Sequence, residues 1–237
     1  MKKKIVFITG ITLAVVLLAM GCSNPTGGLD GNLGTGPLTL KGRIYEEGFP
    51  SPPSYTLSYT PINKNGTLTA STGESAAITN GFFDLTVTPS SSLASFSTVA
   101  AGEFFSDWVN VTSSNGSALF EALELATSGG TIGDGDLYRR KGQISVKGSS
   151  YTETYQGVFY LYVNADATIT GDSRTSSHNN FYKAFTLDLK QGWNAVCVSG
   201  VYTGNFSSPE QSGTITLSIS NPADLYWVFD DDSYIGG

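Results

Sequence analysis

Few side chains in this chain have the type and spacing to do chemistry. Asp134-Gly135-Asp136 begins like a calcium loop. A full EF-hand loop needs a bidentate Glu at its twelfth position, and counting from Asp134 that residue is Ser145. A turn with solvated carboxylates is the ordinary use of such a stretch. Asp230-Asp231-Asp232 concentrates negative charge near the C-terminus. Neighbouring residues of a strand face opposite ways, so three in a row cannot converge on one cation. A looped tail could close on a cation with Asp166 or Asp172; a solvated acidic cluster is the plainer reading. Asp134, Asp136, Asp230, Asp231 and Asp232 are thus the metal candidates, and no cofactor is implied.

Catalytic constellations are equally thin. His178 is the one histidine, which excludes multi-histidine zinc sites. A Ser-His-Asp triad is formally possible, yet no Gly-x-Ser-x-Gly occurs to place a nucleophile on a strand-to-helix turn. Glu46, Glu47, Glu103, Glu121, Glu124, Glu153 and Glu210 could supply the paired carboxylates of a glycosidase, but spacing alone selects no pair. No phosphate-cradling glycine loop precedes a helix. The chain is therefore expected to have no catalytic residues.

The aromatic residues of the second half have two readings. Sugar-binding sandwiches display flat aromatic rows on one face, and cores use the same residues for packing. Tyr160, Tyr162, Trp193 and Trp227 are the candidate ligand contacts. Trp193 follows Gly192 directly, so it is expected to enter a strand from a tight turn and cover a sandwich end.

The two cysteines differ in setting. Met1-Lys2-Lys3-Lys4 is cationic, and the 16 residues from Ile5 to Met20 carry no charge. About 20 residues are needed to span a bilayer core as a helix, so this run reads as a secretory signal peptide. Leu18-Ala19-Met20-Gly21-Cys22 resembles the bacterial lipobox, with Ala19 where leucine is commoner. That resemblance implies cleavage between Gly21 and Cys22 and acylation of Cys22. Several acyl chains hold a protein firmly at a membrane where one does not. Ser23 after the cysteine implies sorting to the outer rather than the inner membrane. Cys197 then has no partner, and its Val196-Cys197-Val198 setting fits a half-buried strand thiol.

Removing residues 1–21 takes Lys2, Lys3 and Lys4 from the 13 basic residues and leaves all 20 acidic ones, a formal charge of −10. No basic stripe remains, which argues against nucleic acid and against charge-driven binding to anionic lipid.

The elements that must position these residues are β-strands. Residues 22–37 are rich in Gly, Asn, Ser, Thr and Pro and read as a flexible tether. Short alternating runs separated by turn residues follow from Leu38. Asn65-Gly66 and Asn80-Gly81 are turn dipeptides, and Phe83, Leu85 and Val87 share one face of the next strand. Residues 118–126 suit a helix by propensity, but Asn115-Gly116 and Gly129-Gly130 on either side favour a strand. In "TYQGVFYLYVNA" both faces are apolar or aromatic, as a central strand requires.

Gly42-Arg43-Ile44, the Pro50-Ser51-Pro52-Pro53 loop and Gly81-Phe82-Phe83-Asp84-Leu85 occur in an order that resembles the carboxypeptidase-regulatory, transthyretin-like β-sandwich. Asp166–Gly171, Phe185–Asn194 and Pro222–Phe229 resemble a group of lipoproteins of spirochaetes and gut anaerobes whose activity is not established. Both resemblances imply fold and location. The expected architecture is all-β: two tandem antiparallel sandwiches, 38–130 and 131–237, behind a signal peptide (1–21) and lipidated tether (22–37). The expected function is non-enzymatic, an envelope lipoprotein presenting β domains to a glycan or protein ligand. A glycoside hydrolase using paired carboxylates is the alternative.

Overall fold

The computed structural model describes residues 31–48, 57–100, 105, 108–173, 183–206 and 208–230. These residues form an all-β architecture with one short helix, α1 (Phe96–Ala100). Its spine is a long antiparallel ribbon. β12 (Ser150–Val163) pairs over its whole length with β15 (Gly192–Asn205). β16 (Ser208–Ile219) lies on the far edge of β15.

Both faces of this ribbon are apolar at one end, and each lines a separate core. Val158, Tyr160, Trp193, Ala195 and Cys197 point into the first core. There they meet β2 (Leu38–Gly48), β4 (Gly66–Ala70), β6 (Phe82–Val87), β11 (Gly135–Lys147) and β17 (Tyr226–Asp230). Phe159, Leu161, Val163 and Val196 point into the second core. That core is closed by a three-stranded sheet of β8 (Val109–Ser113), β13 (Ala167–Asp172) and β14 (Phe185–Leu189). The three-stranded cover reaches only the end of the ribbon nearest Val163; the rest of that face runs beyond it.

The local strand patterns hold. Phe83, Leu85 and Val87 are buried on one face of β6. Residues 118–126 are strand rather than helix: β9 (Leu119–Leu123) is followed by β10 (Leu125–Ser128). Asn80 and Gly81 both have positive φ, 50° and 76°, as a tight hairpin turn requires.

Three details differ from expectation. Gly66 lies inside β4, and Asn65 instead gathers the chain around it: its carbonyl accepts from Thr131 and Ile132 N–H, and its side chain from Asn80 N–H. Part of the stretch read as tether is a strand, β1 (Asn32–Gly34), paired with β15. Its Gly31 carbonyl accepts from Ala195 N–H at 2.6 Å, and Leu33 packs on the first core. One apolar side chain and an open strand edge suffice to dock a segment whose composition signals coil. Pairing also crosses residues 130 and 131: β9 bonds to β12, β10 to β11, and β2 runs parallel to β17.

Candidate functional site

The free edge of β12 changes partner part-way along. From Ser150 to Val158 it bonds to β11, and from Tyr160 to Val163 it bonds to β9. Phe159 stands at the exchange. β9 hands over to β10 at Glu124, and β10 then bonds to β11. The sheet therefore forks, and a cavity of about 400 Å³ occupies the fork.

Register fixes what the cavity presents. Side chains alternate along a strand, and directly paired residues share a face. Asp136 and Tyr138 of β11 lie on the same face as Tyr155 of β12 and Tyr202 of β15, and all four line the cavity. Trp108, at the edge of the three-stranded cover, closes one side; its Nε1 donates to the Lys183 carbonyl at 2.8 Å. Glu124 stands with Asp136 on the polar side.

Gly157 lines the floor of the cavity, and Gly200 lies beside it on β15, opposite Tyr155. A Cβ on Gly157 would stand 2.6 Å from the Tyr155 hydroxyl oxygen and 3.1 Å from Cζ. A Cβ on Gly200 would stand 3.2 Å from Tyr202 Cε2. The Tyr155 and Tyr202 rings thus lean over bare backbone. Because β12 and β15 are antiparallel, they lean in the same direction, toward the cavity. Burial pushes the Tyr155 phenol above its ordinary range, opposed by the nearby Arg140, so it stays a neutral hydroxyl.

The inner end of the cavity reaches the first core. There Arg139 donates to Tyr160 Oη (2.8 Å), Asn221 Oδ1 and the Pro222 carbonyl (2.7 Å), and its guanidinium lies 5.9 Å from the Trp227 ring centre. Burial raises the Tyr160 phenol, and Arg139 opposes the shift.

Beside the cavity lies a second polar cluster. Arg140 Nη2 bonds Glu47 at 2.9 Å and Asp230 at 3.1 Å. Tyr59, on β3 (Ser58–Pro61), donates to Glu47 at 3.0 Å and accepts from Gly142 N–H. Glu47 and Asp230 share one guanidinium nitrogen, which occupies the space a substrate would need between an acid and a base.

Of the aromatic candidates, Tyr160 and Trp227 line the cavity, while Trp193 is fully buried in the first core and Tyr162 packs edge-on against it at 5.3 Å. Trp193 is thus core rather than an end cover. Asp136 lines the cavity and accepts from Tyr138 Oη at 3.1 Å, whereas Asp134 only accepts from Gly129 N–H in the turn before β11. Asp136 and Asp230 face each other across β11 and β17, yet among the described residues no group of three potential ligands could hold a metal ion. Gly21, Cys22, the Pro50–Pro53 loop, His178, Asp231 and Asp232 lie outside the described residues. Cys197 is buried and disulfide-bonded, a departure from the expected partnerless thiol.

Tyr155 and the two glycines escaped the sequence reading of the site; Tyr202 belonged to the aromatic group of the second half but not to its candidate ligand contacts. Their signal was present: Tyr155-Gln156-Gly157 and Gly200-Val201-Tyr202 put tyrosine and glycine two apart, on one strand face. Glycine inside a strand marks a close approach. No family model, curated protein or solved structure matches the chain.

Proposed function

We infer that this chain is a non-enzymatic, lipid-anchored binding protein of a bacterial envelope, sorted to the outer membrane. The observation that carries the binding half is the fork cavity, which combines aromatic walls, two carboxylates and a rigid sheet floor. Such a mixture of apolar area and a few polar groups is what small-ligand sites present. The anchoring half rests on the lipobox-like residues before Cys22. One observation favours an enzyme as the second reading: Glu124 and Asp136 both line the fork cavity, where a hydrolase would keep its acid and base.

Metabolic labelling with a palmitate analogue tests the anchor. The wild type should take label and partition with membranes, and Cys22→Ala should do neither; equal labelling of both would overturn the anchor.

A further inference from the structure

We propose that the fork cavity binds a neutral pyranose unit of a glycan, stacked against Tyr155 and Tyr202. This rests on the binding reading above and names its ligand class.

The first argument is shape. Gly157 and Gly200 remove the two side chains that would otherwise hold the tyrosine rings off the sheet. The rings are supported from behind by backbone, and both line the cavity. A pyranose offers a flat patch of C–H groups that matches a ring face, and the tyrosine hydroxyl serves as a polar handle beside it.

The second argument is the distribution of hydrogen-bonding groups. Glu124 and Asp136 are acceptors on the outer side of the cavity. At the inner end, Tyr160 accepts from Arg139 and keeps its own proton; among the described residues no group accepts it. The Tyr155 hydroxyl is likewise uncommitted among the described residues. A ligand that satisfies both ends must carry donors and acceptors together, as a polyol does. A quaternary ammonium would suit the aromatic walls and carboxylates but offers nothing to the inner donors.

The third argument is charge. Arg139 is committed to Tyr160, Asn221 and Pro222, while Arg140 is not a lining residue and holds Glu47 and Asp230 through Nη2. The cavity therefore offers an anionic ligand two carboxylates and no uncommitted cation among its described lining residues. Uronic acids, phosphate-bearing polymers and nucleotides are disfavoured. The cavity volume, about 400 Å³, admits a monosaccharide unit with its neighbours running out along the part of the ribbon beyond the three-stranded cover.

The test uses the detergent-solubilised full chain, so it does not depend on whether Cys22 is acylated. Cello-, xylo-, manno- and chito-hexaoses are titrated by calorimetry, with an oligogalacturonate and choline as controls. The expected result is saturable binding of at least one neutral hexaose. Trp108 and Trp227 line the cavity, so their fluorescence should change in step with binding. Tyr155→Ala and Tyr202→Ala should each weaken binding about tenfold or more, while Tyr155→Phe, which keeps the ring and loses one donor, should weaken it less than Tyr155→Ala. Circular dichroism and melting temperature establish that each variant is folded. Binding of none of the four neutral hexaoses by the folded wild type would overturn the proposal. So would preference for the anionic or choline control, or neutral binding indifferent to both alanine substitutions. Release of new reducing ends from a bound hexaose would keep the sugar site and replace the non-enzymatic reading with the hydrolase.

Discussion

Gly42 of β2 lies directly beneath the indole of Trp227 on β17: a Cβ at position 42 would stand 2.6 Å from Trp227 Cδ1 and 2.9 Å from Nε1. Trp227 cannot yield easily. Phe83 meets its ring edge-on at 5.3 Å, Tyr160 stacks at 6.4 Å, and Arg139 lies over it. Gly42→Ala should therefore destabilise the fold by about 1–3 kcal/mol, the usual cost of overpacking, although alanine is otherwise the better strand residue. Denaturant unfolding followed by tryptophan fluorescence measures this as a lower midpoint at unchanged slope. An unchanged midpoint would mean that the indole moves freely.

The Arg140 cluster separates a buried ion pair from an exposed one. The Glu47 side chain is 13 % exposed and that of Asp230 44 %. Arg140→Met should cost about 1–3 kcal/mol, because Glu47 would keep a charge in a poorly solvated place with only Tyr59 to donate to it. Asp230→Asn should stay within about 0.5 kcal/mol. In a double-mutant cycle, Glu47→Gln should recover part of the Arg140→Met loss, with a coupling of about 1 kcal/mol or more. Additive effects would show that Glu47 is solvated independently of Arg140.

How much of this was legible in the sequence follows from the range of each interaction. Alternation along β6 and the Asn80-Gly81 turn depend on neighbours, and both were readable. Asn65-Gly66 carries the same local turn signal, but Gly66 is held in a strand by contacts from afar: a Cβ there would meet the Gly129 carbonyl oxygen at 2.9 Å. The parallel pairing of Ile44 with Trp227 joins residues near opposite ends of the chain, and no local pattern encodes it. The fork exists because β12 exchanges β11 for β9 at Phe159, a choice made by tertiary packing. Composition marked the aromatic second half, yet it could not separate Trp193, which is core, from Tyr155 and Tyr202, which line the cavity. The glycines two residues from those tyrosines could have done so.

Two glutamates should move stability in opposite directions with pH. Burial, with Glu47 adding to it, pushes the Glu153 carboxyl above its ordinary value of 4.5. Its folded pKa is raised, so its favourable contribution is full below pH 4.5 and is lost as pH rises through the folded value. Hydrogen bonds from Thr72 and Thr88 hold Glu74 down to about 2. Its contribution is present above pH 4.5 and is lost as pH falls toward 2. At pH 7, Glu153→Gln should raise the melting temperature by a few degrees and Glu74→Gln should lower it by a similar amount. Melting curves from pH 7 down to 2.5 should show the Glu153→Gln advantage vanishing below about pH 4.5 and the Glu74→Gln deficit shrinking toward the acid end. A Glu153→Gln advantage that persists at pH 3 would assign the effect to packing rather than to charge.

The docking of β1 depends on one turn. Asn194 holds residues 190–194 in place: its Nδ2 donates to the Lys190 and Gly192 carbonyls at 2.8 and 2.9 Å, and its Oδ1 accepts from Lys190 N–H at 3.1 Å. Within that clamp Gly192 has φ +109°, a conformation that side-chain-bearing residues rarely adopt. The space a Cβ would fill is taken by the Gly34 carbonyl. Gly192→Ala must therefore strain the turn, by about 1–3 kcal/mol, or expel β1 from the edge of β15. Hydrogen exchange distinguishes these outcomes, because Ala195 N–H donates to the Gly31 carbonyl only while β1 is docked. We expect Ala195 to lose protection in the variant while Val158 and Phe159, in the middle of the ribbon, keep theirs. Full protection at Ala195 would place the strain in the turn and leave β1 docked by Leu33.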